Sequence, residues 1–590
     1  MNTHNNEPQH PLDGFQFKVG GEAGFGVMII GQMFSKLCVR SGRWTFDYPE
    51  YPSLISGGHT TYQVVVGLKP VRAPIRPVHL LVALNQETID LHTAELAPGA
   101  GIVFDPNQPG LHVDGLKEQG IHLFPIPLEK LSHEAGNEKT RNVVALAVCA
   151  GLLNASRDVL NQLIRDAFAA KGDEVVTMNL KAAELGFADA EREFSASFPW
   201  QLNAVKAPQR MTVTGNTAVA LGAIRGGCGL YAAYPMTPAT TILTYLAKVG
   251  EQFGMVVRHA EDEIAAINAA IGASYAGVRS MVGTSGGGFA LMVEGVGLAA
   301  ELEVPIVIVE GQRPGPSTGL PTWTGQADLQ FILRSSQGEF PRIVLAPGDV
   351  QECFVLTFQA LNLAEKYQLP VFILTDKFIG ESAATTEPFF FDHLRFHRGE
   401  IDLHPEPDAN GMYPRYHVTA SGVSPRTLPG TPGGVHIANS DEHDVYGFAD
   451  ETADNRIQMM DKRMRKLASA LADVLPPARY GPNAADLTLV TWGSTKGPAL
   501  DALDLLAAQG HKVNLLHFAY LFPLPVDKLE ATFRSCKNVM VIEGNATGQF
   551  ARLLKEEVGL LPEATFFKYD GRPFLPEEIA GEAEHFLNRR

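Results

Sequence analysis

Cysteine is the first shortage. Cys38, Cys149, Cys228, Cys353 and Cys536 are scattered over 590 positions, and no two stand in a CxxC or ferredoxin-like spacing. That excludes a sequence-local iron–sulfur or zinc site in this chain. The thiols are expected to be reduced and mostly buried. Positive charge is also short. Lys and Arg number 48 against 65 Asp and Glu, a net charge of −17. Nucleic acid is therefore excluded as the main partner, because phosphate binding needs clustered cations. No apolar run approaches the ~18–20 residues that cross a bilayer. The opening MNTHNNEPQHPLDG has neither the basic nor the apolar region of a secretory signal. These features lead us to expect a cytoplasmic protein with no membrane partner. G-x-G-x-x-G is missing as well, which weakens any dinucleotide reading.

What is present is an ordinary globular composition, 45% hydrophobic and 19% charged, long enough for roughly three or four domains. FQFKVGG reads as a strand running into a Gly-rich turn and an apolar helix; the strand-like runs TTYQVVVG, HLLVALN and GIVFDP follow, then helical stretches, in an α/β domain ending near residue 200. A second α/β unit follows, with MVVRHA, VRSMVGTS, VPIVIVEG, RIVLAPG and PVFILTD as strands. Strands separated by helical segments favour parallel sheets. Residues 386–455 turn rich in Pro, Gly, His and charge but keep aromatics, and are either an excursion packed on or crossing the domains or a partly mobile loop. A helix and a last α/β domain, with LTLVTWGS, KVNLLHF and VMVIEGN, complete the chain. The reading is α/β, with several parallel-sheet domains divided at 1–200, 201–385, 386–480 and 481–590.

Five segments carry candidate chemistry. The turn Gly20-Gly21-Glu22-Ala23-Gly24-Phe25-Gly26 precedes a helix and could offer N–H groups to a phosphate, or be a tight turn with no ligand. In Tyr234-Pro235-Met236-Thr237-Pro238, two prolines fix the backbone around Thr237 ahead of a helix. Thr237 could hold a carboxylate there, or only cap the helix. Glu261, Asp262 and Glu263 open the helix IAAINAAIGASYAG. Favourable dipole interactions explain the first two. Glu263 precedes the stripe Ile264, Ile267, Ile271 and Tyr275, which suggests that it points inward, where a carboxyl can share a proton with a ligand nitrogen. Gly286-Gly287-Gly288 follow a strand and permit close approach of a ligand, another chain or the sheet itself. Arg313 stands just past the apolar strand Val304–Glu310, where α/β folds bind ligands. It could hold a carboxylate in bidentate fashion or form a structural ion pair.

In this order, YPEYPSLISGGH, YPMTP, EDEIAAINAAIGASYAG, TSGGGFALM, SPRTLPGTPGG with DEH nearby, and VIEGNATGQFARLL resemble the 2-oxoacid:ferredoxin oxidoreductase family. The likeness is to an alpha subunit with its gamma domain fused at the N-terminus, and DEIAAINAAIGA and SPRTLPGTPGG look most like the 2-oxoglutarate branch. It implies that 1–200 is a gamma-type domain, 201–385 a thiamin-diphosphate pyrimidine-binding domain, 386–480 the excursion and connecting helix, and 481–590 a transketolase C-terminal-like domain. Glu263 would bond the aminopyrimidine of thiamin diphosphate and favour its imino tautomer, so it is both the catalytic and the cofactor-binding residue. Thr237 and Arg313 would hold the substrate carboxylate. The gamma domain is linked in the family to coenzyme A access, but Ala23 departs from the family's Gly-richer loop.

The chain has no GDG with a downstream Asn, the usual diphosphate–Mg²⁺ site of thiamin enzymes; its only G-D sequences are Gly172-Asp173-Glu174 and Gly348-Asp349-Val350. Mg²⁺ and the [4Fe–4S] cluster are therefore expected on a beta subunit that shares the cofactor, in an α₂β₂ assembly, and no metal is expected on this chain. The implied reaction interconverts 2-oxoglutarate plus coenzyme A with succinyl-CoA plus carbon dioxide, with ferredoxin as electron partner. A sister enzyme for pyruvate or branched-chain 2-oxoacids, a non-catalytic scaffold subunit and a nucleotide-dependent dehydrogenase are the alternatives. Arg334 and Arg342 are weak candidates for a distal carboxylate.

Overall fold

The computed structural model describes residues 10–54, 57–194 and 198–589; Ile55 and Ser56 of YPEYPSLISGGH lie outside them. By its contacts the chain divides into two units. The first runs to Val213 and takes in Ser382–Pro388 and Leu575–Glu577, and the second comprises Thr214–Glu381, Phe389–Phe574 and Glu578–Arg590.

The first unit is built on an eight-stranded sheet. Its order is His122–Pro125, Leu96–Phe104, Val78–Ala83, Phe15–Glu22, His59–Gly67, Trp44–Glu50, Ala383–Thr386 and Met211–Thr214. The side from His122–Pro125 to Phe15–Glu22 is parallel. His59–Gly67 then pairs antiparallel with both Phe15–Glu22 and Trp44–Glu50. Among the described residues no helix separates Trp44–Glu50 from His59–Gly67, and a parallel pair would need such a crossover. The sheet is therefore mixed, parallel on one side and antiparallel on the other. Val27–Arg40 packs on it through Gly31, where any side chain would collide with the Tyr62 ring.

The second unit holds two sheets. The larger has the order Val256–His259, Leu230–Ala233, Ser280–Thr284, Ile306–Gln312, Pro370–Asp376, Ile343–Leu345 and Tyr520–Phe522. All its pairs are parallel except the last. Ile306–Gln312 and Pro370–Asp376 are buried along their whole length, as expected for strands covered on both faces. The smaller sheet runs Ala478–Tyr480, Val513–Phe518, Leu487–Trp492, Val539–Glu543, Ala564–Phe567, with only its first strand antiparallel.

Among the described residues, 387–452 form neither helix nor strand apart from isolated bridges. They are nonetheless held down. Arg426 donates to the Ser274 carbonyl at 3.1 Å and pairs with Glu365 at 2.8 Å. Arg398 donates to the Gly277 carbonyl at 2.6 Å, and Arg415 to the Glu303 carbonyl at 3.0 Å. Tyr416 is buried. The helix Ala453–Ala470 follows and brings Lys462 and Lys466 onto Glu303.

Candidate active site

The site is assembled at the carboxyl ends of the larger sheet's strands, where parallel sheets place helix starts and ligands. Asp262 caps the helix Glu263–Tyr275, its Oδ1 accepting from Ala265 N at 2.8 Å. Asp262 and Glu261 are exposed, whereas Glu263 is 3% exposed. The buried face of this helix is Glu263, Ala266, Ile267, Ala270, Ile271 and Ser274. That is the i, i+3/i+4, i+7, i+8, i+11 stripe, and Glu263 is its first member. Ile264 is 52% exposed, which corrects the expected stripe. It follows Glu263 by one residue, about 100° round the helix, so the two cannot share a face.

Glu263 Oε1 is buried and accepts no hydrogen bond. The carboxyl reaches the start of the next helix, Gly286–Glu301, where a side chain at Gly288 would collide with Glu263 Oε1 and Thr284 Oγ1. Gly286 is equally constrained, since a Cβ there would lie 2.8 Å from Asp328 Oδ2. Gly287 differs from both. It is exposed, and the one atom near a Cβ would be Met236 Cε at 3.9 Å. The three glycines thus combine crowding at two positions with an open one between them.

Met236 belongs to the Tyr234–Pro238 loop. Thr237 does not cap the following helix, Thr240–Val249, whose cap position is Ala239. Instead its carbonyl accepts from Arg313 Nη1 at 2.8 Å. Arg313 follows the strand Ile306–Gln312 and is half-buried. Burial lowers its pKa, while Glu310 and Asp328 pull it back up. Pro238 lies against Gly311, a Cβ there falling 3.0 Å from Pro238 Cγ. Thr237 and Arg313 are thus brought together, and Met236 and the glycines join that loop to Glu263.

Arg334 and Arg342 are engaged elsewhere. Arg334 forms an exposed pair with Glu556 at 2.6 Å, and Arg342 donates to the Ile332 and Ser335 carbonyls at 2.6 and 3.1 Å.

Sequence reasoning passed over three residues. Asn216 is 1% exposed and donates to the Pro238 carbonyl at 2.8 Å and to Thr241 Oγ1 at 2.7 Å, pinning the proline-rich loop. An Asn amid small apolar residues carries no signal of this. Glu310, fully buried, meets the carboxyl of Asp328. A lone acid inside the apolar run VPIVIVEG was the available sign.

In the first unit, Gly24, Phe25 and Gly26 face a cavity of about 730 Å³ that Lys139, Arg141 and Lys171 also line. Gly24 and Gly26 have φ of 97° and 79°, values that favour glycine. Ala23 is not among the lining residues, and its N–H donates to the Gly58 carbonyl at 3.3 Å.

Comparison with known proteins bears on all of these regions. Residues 221–462 match the family model described as pyruvate flavodoxin/ferredoxin oxidoreductase, thiamine diphosphate-binding. Residues 16–188 match pyruvate ferredoxin/flavodoxin oxidoreductase, and 485–578 the pyruvate:ferredoxin oxidoreductase core domain II. The alpha subunit of 2-oxoacid:ferredoxin oxidoreductase 2 from Aeropyrum pernix is 32% identical over 96% of this chain and 97% of its own. A 2-oxoglutarate oxidoreductase subunit KorA from Mycobacterium tuberculosis is 28% identical over 96% and 91%. A solved 2-oxoglutarate:ferredoxin oxidoreductase from Magnetococcus marinus, with 2-oxoglutarate, coenzyme A and succinyl-CoA bound, superposes with a TM-score of 0.89. It is 35% identical and covers 97% of this chain and 99% of its own. With its thiamine diphosphate-binding region, parallel-dominated sheets and end-to-end likeness to these oxidoreductases, the chain belongs to the family of 2-oxoacid:ferredoxin oxidoreductase alpha subunits.

Proposed function

We propose that this chain is the alpha subunit of an enzyme that oxidatively decarboxylates 2-oxoglutarate in the presence of coenzyme A, yielding succinyl-CoA, carbon dioxide and electrons for ferredoxin, or runs the reverse. The observation that carries the reading is the buried, unpartnered Glu263 Oε1 at a helix start. An aminopyrimidine nitrogen requires a sheltered carboxylate with a free acceptor and room beside it. Glu263 Oε1 and the open position at Gly287 fit both needs. Thiamin diphosphate, when bound, supplies the nucleophilic carbon and the electron sink for decarboxylation. Glu263 would hold the proton at the ring nitrogen. Arg313 would bind and orient the 2-oxoacid carboxylate, with Thr237 beside it, and the bond from Arg313 to the Thr237 carbonyl fixes the guanidinium in advance.

The choice of 2-oxoglutarate rests on likeness to the Magnetococcus enzyme and to subunits named for 2-oxoglutarate. We assign Mg²⁺ and the [4Fe–4S] cluster to a beta subunit, completing an α₂β₂ assembly. Beside Glu263, Ile264 and Leu291 are 52% and 51% exposed, and Ala265, Ala269 and Ala290 are exposed as well. This is an apolar, small-residue face suited to a partner chain. For coenzyme A we propose the first unit's cavity, whose lysines and arginine suit its phosphates.

Co-expression with the beta subunit, then a panel of 2-oxoacids with viologen dye and coenzyme A, tests the reading. The highest kcat/KM is expected with 2-oxoglutarate, and the isolated chain is expected to be inactive. A higher value with pyruvate or a branched-chain acid would reassign the substrate. Full activity of Glu263→Gln would leave the chain a scaffold.

A further inference from the structure

Arg313 does not stand alone at the end of its strand. Three residues earlier, Glu310 is fully buried and neither of its oxygens accepts from an N–H or hydroxyl donor. It is paired across the sheet with Thr284, whose hydroxyl would collide with a side chain at Gly288, as Glu263 Oε1 would. Glu310 meets the carboxyl of Asp328, which in turn lies against Gly286. Asp328 is fixed by its backbone, its N–H donating to Gln312 Oε1 at 3.1 Å, while Gln312 Nε2 donates to the Thr375 carbonyl at 3.1 Å. Two carboxyl groups in contact, one of them fully buried and the other half-buried, cannot both be ionised without strong repulsion, and a single proton between them turns the contact into a hydrogen bond.

Around Glu310 stand Asp328, from the loop before the helix Leu329–Arg334, Asp376, from the neighbouring strand, and Arg313, at the end of the strand that carries Glu310. Burial and Asp328 raise Glu310 well above the ordinary glutamate range, and burial raises Asp328 too. With one shared proton, the pair carries one negative charge and Arg313 one positive charge. Losing that proton would make the trio net negative, draw the guanidinium back toward its strand and repel an incoming anion.

We propose that Glu310 and Asp328 are positioning residues that share one proton and so set the charge beside Arg313, keeping its guanidinium available to the carboxylate of the 2-oxoacid. The proposal rests on the reading of Arg313 as the carboxylate-binding residue. It predicts that proton loss from the pair weakens substrate binding without altering the chemical step. The effect belongs in KM, while kcat on saturating substrate stays level.

The test uses the assembled alpha–beta enzyme, with 2-oxoglutarate KM and kcat measured from neutral to alkaline pH. In the wild type, KM should climb by up to about tenfold per pH unit once the pair ionises. Glu310→Gln cannot lose the proton, so its KM should stay within about twofold of the wild-type neutral value across the range. A wild-type-like alkaline rise in the variant would overturn the proposal. So would a KM raised equally at every pH, which marks a merely structural role. If the variant does not assemble, infrared spectra of the wild-type enzyme decide. The protonated carboxyl stretch must vanish in step with the rise in KM, and a band that persists through the rise, or a KM that never rises, overturns it. Arg313→Ala separates the two readings. If it leaves KM unchanged, the carboxylate-binding assignment itself fails. If it raises KM while Glu310→Gln keeps the alkaline rise, only the proton-sharing pair fails.

Discussion

The second unit buries two glutamates in opposite ways. Glu303 is 0% exposed, and its oxygens face Lys462, itself fully buried, and Lys466 at 2.6 Å. Glu263 is 3% exposed, yet its Oε1 has nothing to accept. A buried carboxylate surrounded by cations ties elements together, here the turn at Glu303 and the helix Ala453–Ala470. A buried carboxylate left open costs stability, because desolvation is not offset by bonding. Local stability is thus traded for a free acceptor at Glu263, as is common where a ligand completes the site. Arg313 lies between these extremes, with one bond to the Thr237 carbonyl and donors to spare.

Exchanging the charge at each position should make the contrast measurable. The largest effect is expected from Glu263→Gln in the assembled enzyme. Turnover should fall by roughly 10²–10⁴-fold, the range of a lost acid–base group, while the isolated chain melts no lower than the wild type. A drop in melting temperature with kcat intact would make Glu263 structural.

Glu303→Gln should show the reverse. It strands Lys462 and Lys466 without a counter-charge, and removing one partner of a buried pair costs about 3–5 kcal/mol. Denaturant unfolding should register that loss, while kcat of the folded enzyme stays unchanged. The pH dependence has a definite sign. The lysines hold Glu303 well below its ordinary value of 4.5 despite the opposing effect of burial. Its contribution is therefore complete above that value and lost as the pH falls below it. Wild type and variant should converge in acid; a constant difference down to strongly acidic pH would contradict the pairing.

Arg313→Ala should raise KM for the 2-oxoacid by an amount equivalent to about 2–5 kcal/mol, with thiamin diphosphate affinity little changed. An unaltered KM would reduce Arg313 to holding the Thr237 carbonyl. Thr237→Ala removes a neutral hydrogen bond at most, so the shift should be about 1 kcal/mol in the same direction. A larger shift for Thr237 than for Arg313 would reverse their order of importance.

Much of this architecture is legible in the chain itself. The apolar runs VPIVIVEG and PVFILTD become the fully buried parallel strands Ile306–Gln312 and Pro370–Asp376, because only strands covered on both faces dispense with polar alternation. Order and spacing along the sequence likewise put Glu263 at a helix start and Arg313 at a strand end, since both are local features, while the roles expected of Glu263, Thr237 and Arg313 come from the family resemblance. What local pattern cannot resolve is which neighbour a side chain meets. Ile264 looks like part of a core stripe until the helix docks and turns it outward. Residues 387–452 have almost no periodicity, and their anchorage through Arg398, Arg415 and Arg426 rests on partners far away in sequence. The contact of Glu310 with Asp328, and the contrast between the unbonded Glu263 Oε1 and the ion-paired Glu303, are likewise decided by tertiary structure alone. Burial and hydrogen bonding depend on elements distant in sequence, and whether a buried charge stabilises or waits for a ligand depends on those neighbours.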